Sequence, residues 1–438
     1  MKKELEDKIQ TLTPSQKVLF EAVSSGRNVC CLGPGGTGKT YTLETVVQYA
    51  KENDLNVVVC APTGIAALNL RGMTIHRTFG AEFGILPRDS MKTSKLLESA
   101  DIIIIDEISM VRQDLFEYII RSIRLAQKNS NKIDDGKIHR PFKQLVVCGD
   151  YGQLPPVLVR AEHDDYEKQY ESRYAFTSPL WDAQNFVYVV LKEQMRQIDK
   201  AFAAKLDRVR MGDVSVLKDF RQNDRKSETA VTLCTINCTA DTINREHLAA
   251  LPGQHEYFAE SFDGILNDEM PVPPTMILAP GELVMFVNND KEGRWMNGSL
   301  ATILACNDDC VEVRMHDGRN MAIRPVSWPI YRSEVVEEKS LPGGKKTKSI
   351  VNLKAGVYSQ YPFRPAWAIT VHRSQGQTYE EVNIAPGDFF DFGQLYVALS
   401  RCRTEDGLHI TGTLKTSDLR VDKKVLDFLE MVNEKAIN

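Results

Sequence analysis

The sequence predicts an α/β protein of parallel sheets covered by helices, in two such domains, the second interrupted by a small antiparallel barrel. Three observations carry this. First, short β-branched runs end abruptly in polar or glycine residues: NVVVCAPTG (Asn56 to Gly64), ADIIIIDEIS (Ala100 to Ser109) and KQLVVCGDYGQLPP (Lys143 to Pro156). Apolar runs without alternation mark strands buried on both faces, and helical patterns such as Asp114 to Gln127 alternate with them. Second, the same pattern returns in VYVVLKEQMRQ (Val187 to Gln197), TAVTLCTIN (Thr229 to Asn237), WAITVHRSQGQT (Trp367 to Thr378) and QLYVALSRCR (Gln394 to Arg403). Third, from about Asp263 to Lys354 the texture changes to alternating strands broken by NND, NDD and HDG, which read as hairpin turns.

The 438 residues exceed one compact core, and length alone suggests about two to four domains. The expected boundaries are 1–185 for the first α/β domain, 186–262 with 355–438 for the second, and 263–354 for the inserted barrel. The basic tip LPGGKKTKS (Leu341 to Ser349) reads as a solvated loop. A composition of 42% hydrophobic and 26% charged residues is that of a soluble globular chain. The apolar runs fall far short of the ~20 residues of a membrane span, and MKKELEDKIQ has no apolar stretch after its lysines, so a cytoplasmic protein without membrane contact is expected.

Nine cysteines lie mostly in apolar runs, as buried thiols in a reducing compartment do. Cys234 with Cys238 and Cys306 with Cys310 have a C-x-x-x-C spacing, but zinc sites favour tighter knuckles, so a zinc site is disfavoured. A net charge of −5 argues against bulk polyanion binding and leaves room for a local basic groove.

Chemistry enters at VCCLGPGGTGKTYTL (Val29 to Leu43). Gly33, Gly38, Lys39 and Thr40 fit G-x-x-x-x-G-K-[ST], in which backbone N–H groups of an open loop surround phosphate oxygens. Gly36, Thr37 and Gly38 form that loop, Lys39 reaches the β- and γ-phosphates, and the Thr40 hydroxyl holds Mg²⁺. A strand at Asn28 to Leu32 and a helix at Tyr41 to Ala50 supply the required context. Asp106 and Glu107 follow the four-isoleucine strand, where one carboxylate suffices for Mg²⁺ and the other is left to polarise a water molecule. Gln153 ends another strand, and Arg196 and Arg401 follow apolar segments of the second domain. Each is a weak signal alone, since single arginines are commonly surface ion-pair residues.

Taken in order, LTPSQ (Leu12 to Gln16), the phosphate loop, APTGIAALNLRGMTIHRTFG, IIIDEISMVRQDLFE, VVCGDYGQLPPV, LKEQMRQ, PAWAITVHRSQGQT and LYVALSRCR resemble the motif series of superfamily 1 DNA helicases. The phrases IDEISMV, CGDYGQLPPV and AWAITVHRSQG are similar to the Pif family, a branch of the RecD-like class B helicases. The resemblance runs from Leu12 to about Thr411. It implies two RecA-like domains, a small insertion in the first and an SH3-like insertion in the second. By the same resemblance Gln16 recognises adenine, Lys39 and Thr40 serve phosphates and Mg²⁺, and Asp106 and Glu107 perform the metal and water chemistry. Gln153, Arg196 and Arg401 would sense the γ-phosphate, Gly376 would lie at the nucleotide cleft, and Thr63, His76, Phe79 and His372 would face single-stranded DNA. Without the motifs, His76, His372 and Phe79 read as core residues.

The resulting expectation is an ATP- and Mg²⁺-dependent DNA helicase moving 5′ to 3′ on single strands, acting on forked or structured DNA and able to work as a monomer. Arg196 and Arg401, brought across a cleft by the second domain, would tie hydrolysis to closure, and the insertion at about Gly80 to Glu98 would split the duplex. Roles in repair, recombination and telomere maintenance are what the resemblance implies, and the short termini suggest a compact bacterial or phage-like form. Two other readings stay open at this point: a nucleotide-switched clamp or loader without unwinding, and an RNA-dependent ATPase.

Overall fold

A computed structural model describes residues 2–63, 66–67, 70, 72–130, 142–197, 199–222, 226–262, 272–290, 292–295, 298–338 and 347–437. The chain divides into two compact units. One comprises Met1–Phe220, Phe389–Glu405 and Leu414–Asn438, the other Arg221–Asp388 and Asp406–Thr413.

The first unit is built on a six-stranded parallel sheet, β1 (Val29–Leu32), β2 (Val57–Ala61), β3 (Met73–Thr74), β4 (Ile102–Ile105), β5 (Gln144–Gly149) and β6 (Val187–Val190), in the order β3-β2-β4-β5-β1-β6. Every residue of β1, β4 and β5 is buried, as their unalternated apolar sequences require. Helices cover both faces. The face carrying Val29, Cys31, Ile102, Ile104, Val146 and Cys148 packs against Leu19, Val23, Leu43 and Val46. The opposite face, with Cys30, Ile103, Ile105 and Val147, packs against Phe116, Ile119, Trp181 and Phe428.

Segments expected in the second domain belong to this unit for clear packing reasons. Val187–Val190 pairs in parallel with Val29–Leu32 as an outer strand of the first sheet. The helix Lys423–Lys435 stacks Phe428 on Phe176, with ring centroids 4.1 Å apart and planes 3° apart, and places it edge-on to Tyr151 and Trp181. Asp391 pairs with Arg173 at 2.7 Å.

The second unit has a four-stranded parallel sheet of Ala368–Thr370, Val231–Cys234, Val382–Ile384 and Leu408–Ile410, adjacent in that order. Its antiparallel part runs from His255 to Pro365. Five strands, Asn320–Ile323, Val311–Met315, Leu300–Cys306, Leu283–Phe286 and Phe363–Pro365, form one sheet around Phe286, Trp295, Tyr358, Tyr361 and Phe363. The expected turns at NDD and HDG join neighbouring strands, the second with Gly318 at φ 87°. Residues 341–346 of the basic tip, and Gly64 and Ile65 of the third motif, lie outside the described residues.

Candidate active site

Register builds the site. Leu32 at the end of β1 lies opposite Gly149 on β5, and Ile105 on β4 lies opposite Val147. Three chain segments therefore leave the carboxyl edge of the sheet within a few residues of one another: the phosphate loop from Gly33, the acidic pair from Asp106, and the turn from Asp150. The Gly33 N–H donates to the Gly149 carbonyl at 3.3 Å, closing the loop onto β5. Gly36 and Gly38 take left-handed φ of 88° and 75°, which side-chain-bearing residues adopt only with strain. The fourteen-residue helix Lys39–Glu52 begins at the loop and directs its positive end into it.

Lys39 Nζ donates to the carbonyls of Gly33 at 2.8 Å and Pro34 at 3.0 Å, holding its ammonium inside the loop. Asp106 Oδ1 accepts the Glu107 N–H at 2.9 Å. Burial, reinforced by the Glu107 carboxylate, pushes Asp106 up to about 7. Burial also raises Glu107, against the opposing fields of Lys39, Arg401 and Arg196. Gln153, 5% exposed, directs its amide nitrogen at Asp150 Oδ2, 3.2 Å away. Arg401 is 1% exposed and anchored by Nε to the Val397 carbonyl at 2.9 Å and by Nη2 to Ser400 Oγ at 2.8 Å. Burial lowers Arg196, and its Nη1 has no hydrogen-bond partner among the described residues.

These groups converge on one point. A Cβ added to Gly35 would stand 3.3 Å from Gln153 Nε2, 3.6 Å from Arg401 Nη2 and 3.7 Å from Arg196 Nη1. Both arginines, expected from across a cleft, thus belong to the same compact unit as the phosphate loop. An orphaned buried guanidinium nitrogen beside a lysine and a second arginine is a site for a multiply charged anion. Thr40 and Asp106 offer hard oxygen donors, and a buried carboxyl with a second beside it at a phosphate loop fits Mg²⁺, which keeps most of its waters and takes few protein ligands.

Gln16, expected at adenine, lies against the phosphate loop. It is 2% exposed, its Oε1 accepts the Thr13 N–H at 3.0 Å, and its Nε2 donates to the Thr37 carbonyl at 3.0 Å, tying the helix Pro14–Ser24 to the phosphate loop. Glu193 supports that helix start by accepting from the Thr13 hydroxyl at 3.1 Å and from the Ser15 hydroxyl and N–H.

The residues expected to face DNA fall into three groups. Thr63 is half-buried and its hydroxyl accepts the Ala66 N–H at 3.2 Å. His372, half-buried, lies in the second unit, as does Gly376, expected at the nucleotide cleft and exposed with φ 78°. Phe79 requires correction: at 2% exposure it is part of the first unit's core, because its short helix Ile75–Phe79 turns that ring inward. The exposed ring is Phe83, four residues on and 79% exposed, which stacks on His76 with centroids 4.6 Å apart and planes 21° apart. Burial and Arg112 lower the His76 pKa. Arg112 also fastens the Gly80 to Glu98 segment, donating to the Gly84 carbonyl at 2.5 Å and pairing with Asp114 and Glu162. Sequence reasoning missed Phe83, although an aromatic inside a polar, glycine-flanked stretch was a usable signal.

A six-stranded parallel sheet with a phosphate loop after β1 and an acidic pair after β4 defines a phosphate-loop nucleoside triphosphatase with RecA-like architecture. The model of the PIF1-like helicases matches residues 11–221. The ATP-dependent DNA helicase Pif1 of Bdellovibrio bacteriovorus is 28% identical over 438 aligned residues, covering 95% of this chain and 91% of its own. The structure of unliganded Pif1 from Bacteroides sp is 30% identical with a TM-score of 0.77, covering 96% of this chain and 97% of that one. The Bacteroides Pif1 helicase in complex with ADP-AlF3 and single-stranded DNA is 28% identical with a TM-score of 0.68, covering 97% of each chain. The chain belongs to the Pif1 family of helicases.

Proposed function

We propose that this protein is an ATP-dependent DNA helicase that moves 5′ to 3′ along single-stranded DNA and separates duplex ahead of it. The observation that carries the hydrolytic half is the convergence of Gln153, Arg196 and Arg401 on Gly35 of the phosphate loop, beside Asp106 and Glu107. Lys39, Arg196 and Arg401 neutralise charge on the transferring phosphoryl group, Gln153 contacts it, and Glu107 orients the attacking water. A magnesium ion held by Thr40 and Asp106 would neutralise further phosphate charge. Gln16 contacts adenine from its place beside Thr37.

For the nucleic-acid half, the His76–Phe83 stack offers a flat face to an unpaired base at the head of the 80–98 segment, and Thr63 and His372 contact the strand. The antiparallel strands of the second unit are read as an SH3-like insertion that guides it. The complex of the Bacteroides relative with ADP-AlF3 and single-stranded DNA supports pairing the two halves. Among the described residues no helix is long and apolar enough to cross a membrane.

The test is a paired unwinding assay with ATP and Mg²⁺ on duplexes carrying equal single-stranded tails at either the 5′ or the 3′ end. Separation only from the 5′ tail is expected. Separation from the 3′ tail alone overturns the polarity, and DNA-stimulated hydrolysis without separation from either overturns the helicase reading in favour of a clamp or loader.

A further inference from the structure

Asp150, the first residue after β5, is fully buried and holds four groups. Oδ1 accepts from Arg210 Nε at 2.8 Å and from the Gly152 N–H at 3.1 Å, and Oδ2 accepts from Gln153 Nε2 at 3.2 Å and from the Tyr396 hydroxyl at 3.3 Å. Burial alone would raise this carboxyl, but Arg210, Lys39 and the hydrogen bonds it accepts hold it below the usual carboxylate range. Arg210 ends the helix Lys200–Arg210 and is 7% exposed, so the pair is a buried one with its charges matched. The Tyr396 hydroxyl has a second partner. It accepts the Gly35 N–H at 3.2 Å, the backbone of the residue on which Gln153, Arg196 and Arg401 converge. Tyr396 sits in the helix Gln394–Leu399, three residues ahead of its end and five ahead of Arg401.

We infer that Tyr396 is a positioning residue for phosphoryl transfer, its hydroxyl fixing Gly35 of the phosphate loop to the Asp150 carboxylate that also orients Gln153. The inference rests on the nucleotide-site reading above and deepens it. One carboxylate oxygen sets both the first turn of the loop and the amide of Gln153, while the same short helix that carries the tyrosine leads into Arg401. A shift of any of these parts moves the others, because each is attached to Asp150 or to the helix directly. Placement errors of about 1 Å at a reacting group cost on the order of 10²-fold in rate, so even a modest loosening of Gly35 registers in turnover.

Tyr396→Phe removes one hydroxyl and keeps the buried ring. Steady-state hydrolysis of ATP is measured with Mg²⁺ and saturating oligothymidylate, together with thermal unfolding. The expected result is a fall in kcat of about tenfold, the scale of a lost hydrogen bond to a charged group, with KM for ATP within about threefold. Gln153→Ala and the double variant complete the cycle, and because both side chains act through the same carboxylate oxygen, the double loss is smaller than the product of the single losses. A kcat within about twofold of the parent, a change confined to KM, or single losses that multiply would each overturn the positioning role. A general loss of fold is recognised by a fall in unfolding midpoint of more than about 4 °C, and the cycle then decides at a temperature below it. Lys39→Ala separates the two readings. If it still turns over ATP at the parental rate, the nucleotide site is misplaced. If it is inactive while Tyr396→Phe is normal, only the positioning role falls.

Discussion

Replacing Arg401 separates transition-state stabilisation from nucleotide binding. The side chain is 1% exposed, and Nε and Nη2 each hold it to its own helix, at 2.9 Å to the Val397 carbonyl and 2.8 Å to Ser400 Oγ. Those bonds fix the guanidinium plane so that Nη2 stands 3.6 Å from where a Gly35 Cβ would lie. An arginine aimed at a transferring phosphoryl group contributes about 10³ to 10⁵ in rate. At 1.36 kcal/mol per decade that is roughly 4–7 kcal/mol. Arg401→Ala is expected to lose kcat in that range while KM for ATP changes by less than about tenfold, since the charge it answers develops in the transition state. Arg401→Lys keeps a charge but gathers its donors on one nitrogen, so it cannot hold the helix contacts and a phosphate oxygen together, and retains no more than about a hundredth of the rate. The assay is single-turnover hydrolysis at saturating ATP, with circular dichroism to show that the buried helix end survives. Unchanged turnover with a KM raised tenfold or more would refute the role, because it would mean that Arg401 binds substrate and transition state alike.

Phe83→Ala should weaken binding of labelled oligothymidylate by about 5- to 150-fold, the 1–3 kcal/mol of one base–aromatic stack, while Phe83→Trp retains it; equal anisotropy titrations for parent and alanine variant would remove the stack from the DNA path. Glu282 carries a pH prediction for the second unit: it is fully buried, its Oε1 has no hydrogen-bond partner among the described residues, and burial pushes it up to about 8 despite the Ala279 N–H it accepts at 3.1 Å. A folded-state pKa above the unfolded value of about 4.3 means that the native state holds the proton the unfolded chain has released, so stability falls as pH rises from about 4.5 towards 8, by at most about 1.4 kcal/mol per unit. Urea unfolding across that range should show the decline, Glu282→Gln should flatten it, and a slope unaffected by the substitution would assign it to other groups.

The strands around the site were legible because burial on both faces leaves an unmistakable apolar run, and the phosphate loop because its glycines are dictated by backbone shape. Hairpins in the second unit were legible for the same local reason, their turn residues. Features resting on distant contacts were not. Nothing near Val187 indicates that this strand completes the first sheet beside β1, and nothing near Phe428 announces a stack on Phe176. Phe79 and Phe83 lie four residues apart in the sequence, and only the inward turn of Ile75–Phe79 decides which ring is buried. Asp150 stands beside Gln153 in the same motif, yet its partners Arg210 and Tyr396 lie 60 and 246 residues away, so its place at the centre of the polar network had no local signal.

Glu107 shows how the fold turns two adjacent carboxylates to one task. Successive residues of a strand point to opposite faces, so Asp106 and Glu107, continuing β4 in extended form, would aim into different layers of the sheet. The chain instead breaks at Glu107, which takes φ 52°, and passes into the tight turn Ile108–Met110. Both carboxyls then feel Lys39, while Glu107 alone also feels Arg196 and Arg401. A left-handed conformation at a glutamate costs on the order of 1–3 kcal/mol and persists only where its surroundings over-determine it. Here they do: Asp106 Oδ1 accepts the Glu107 N–H, the Met110 N–H donates to the Glu107 carbonyl at 3.0 Å, and Ile108 is sealed against Gly149, where a Cβ would stand 3.0 Å from its backbone nitrogen. The strain therefore sits at the residue whose carboxyl turns from Asp106 towards the field of Arg196 and Arg401, the residue proposed above to orient the attacking water.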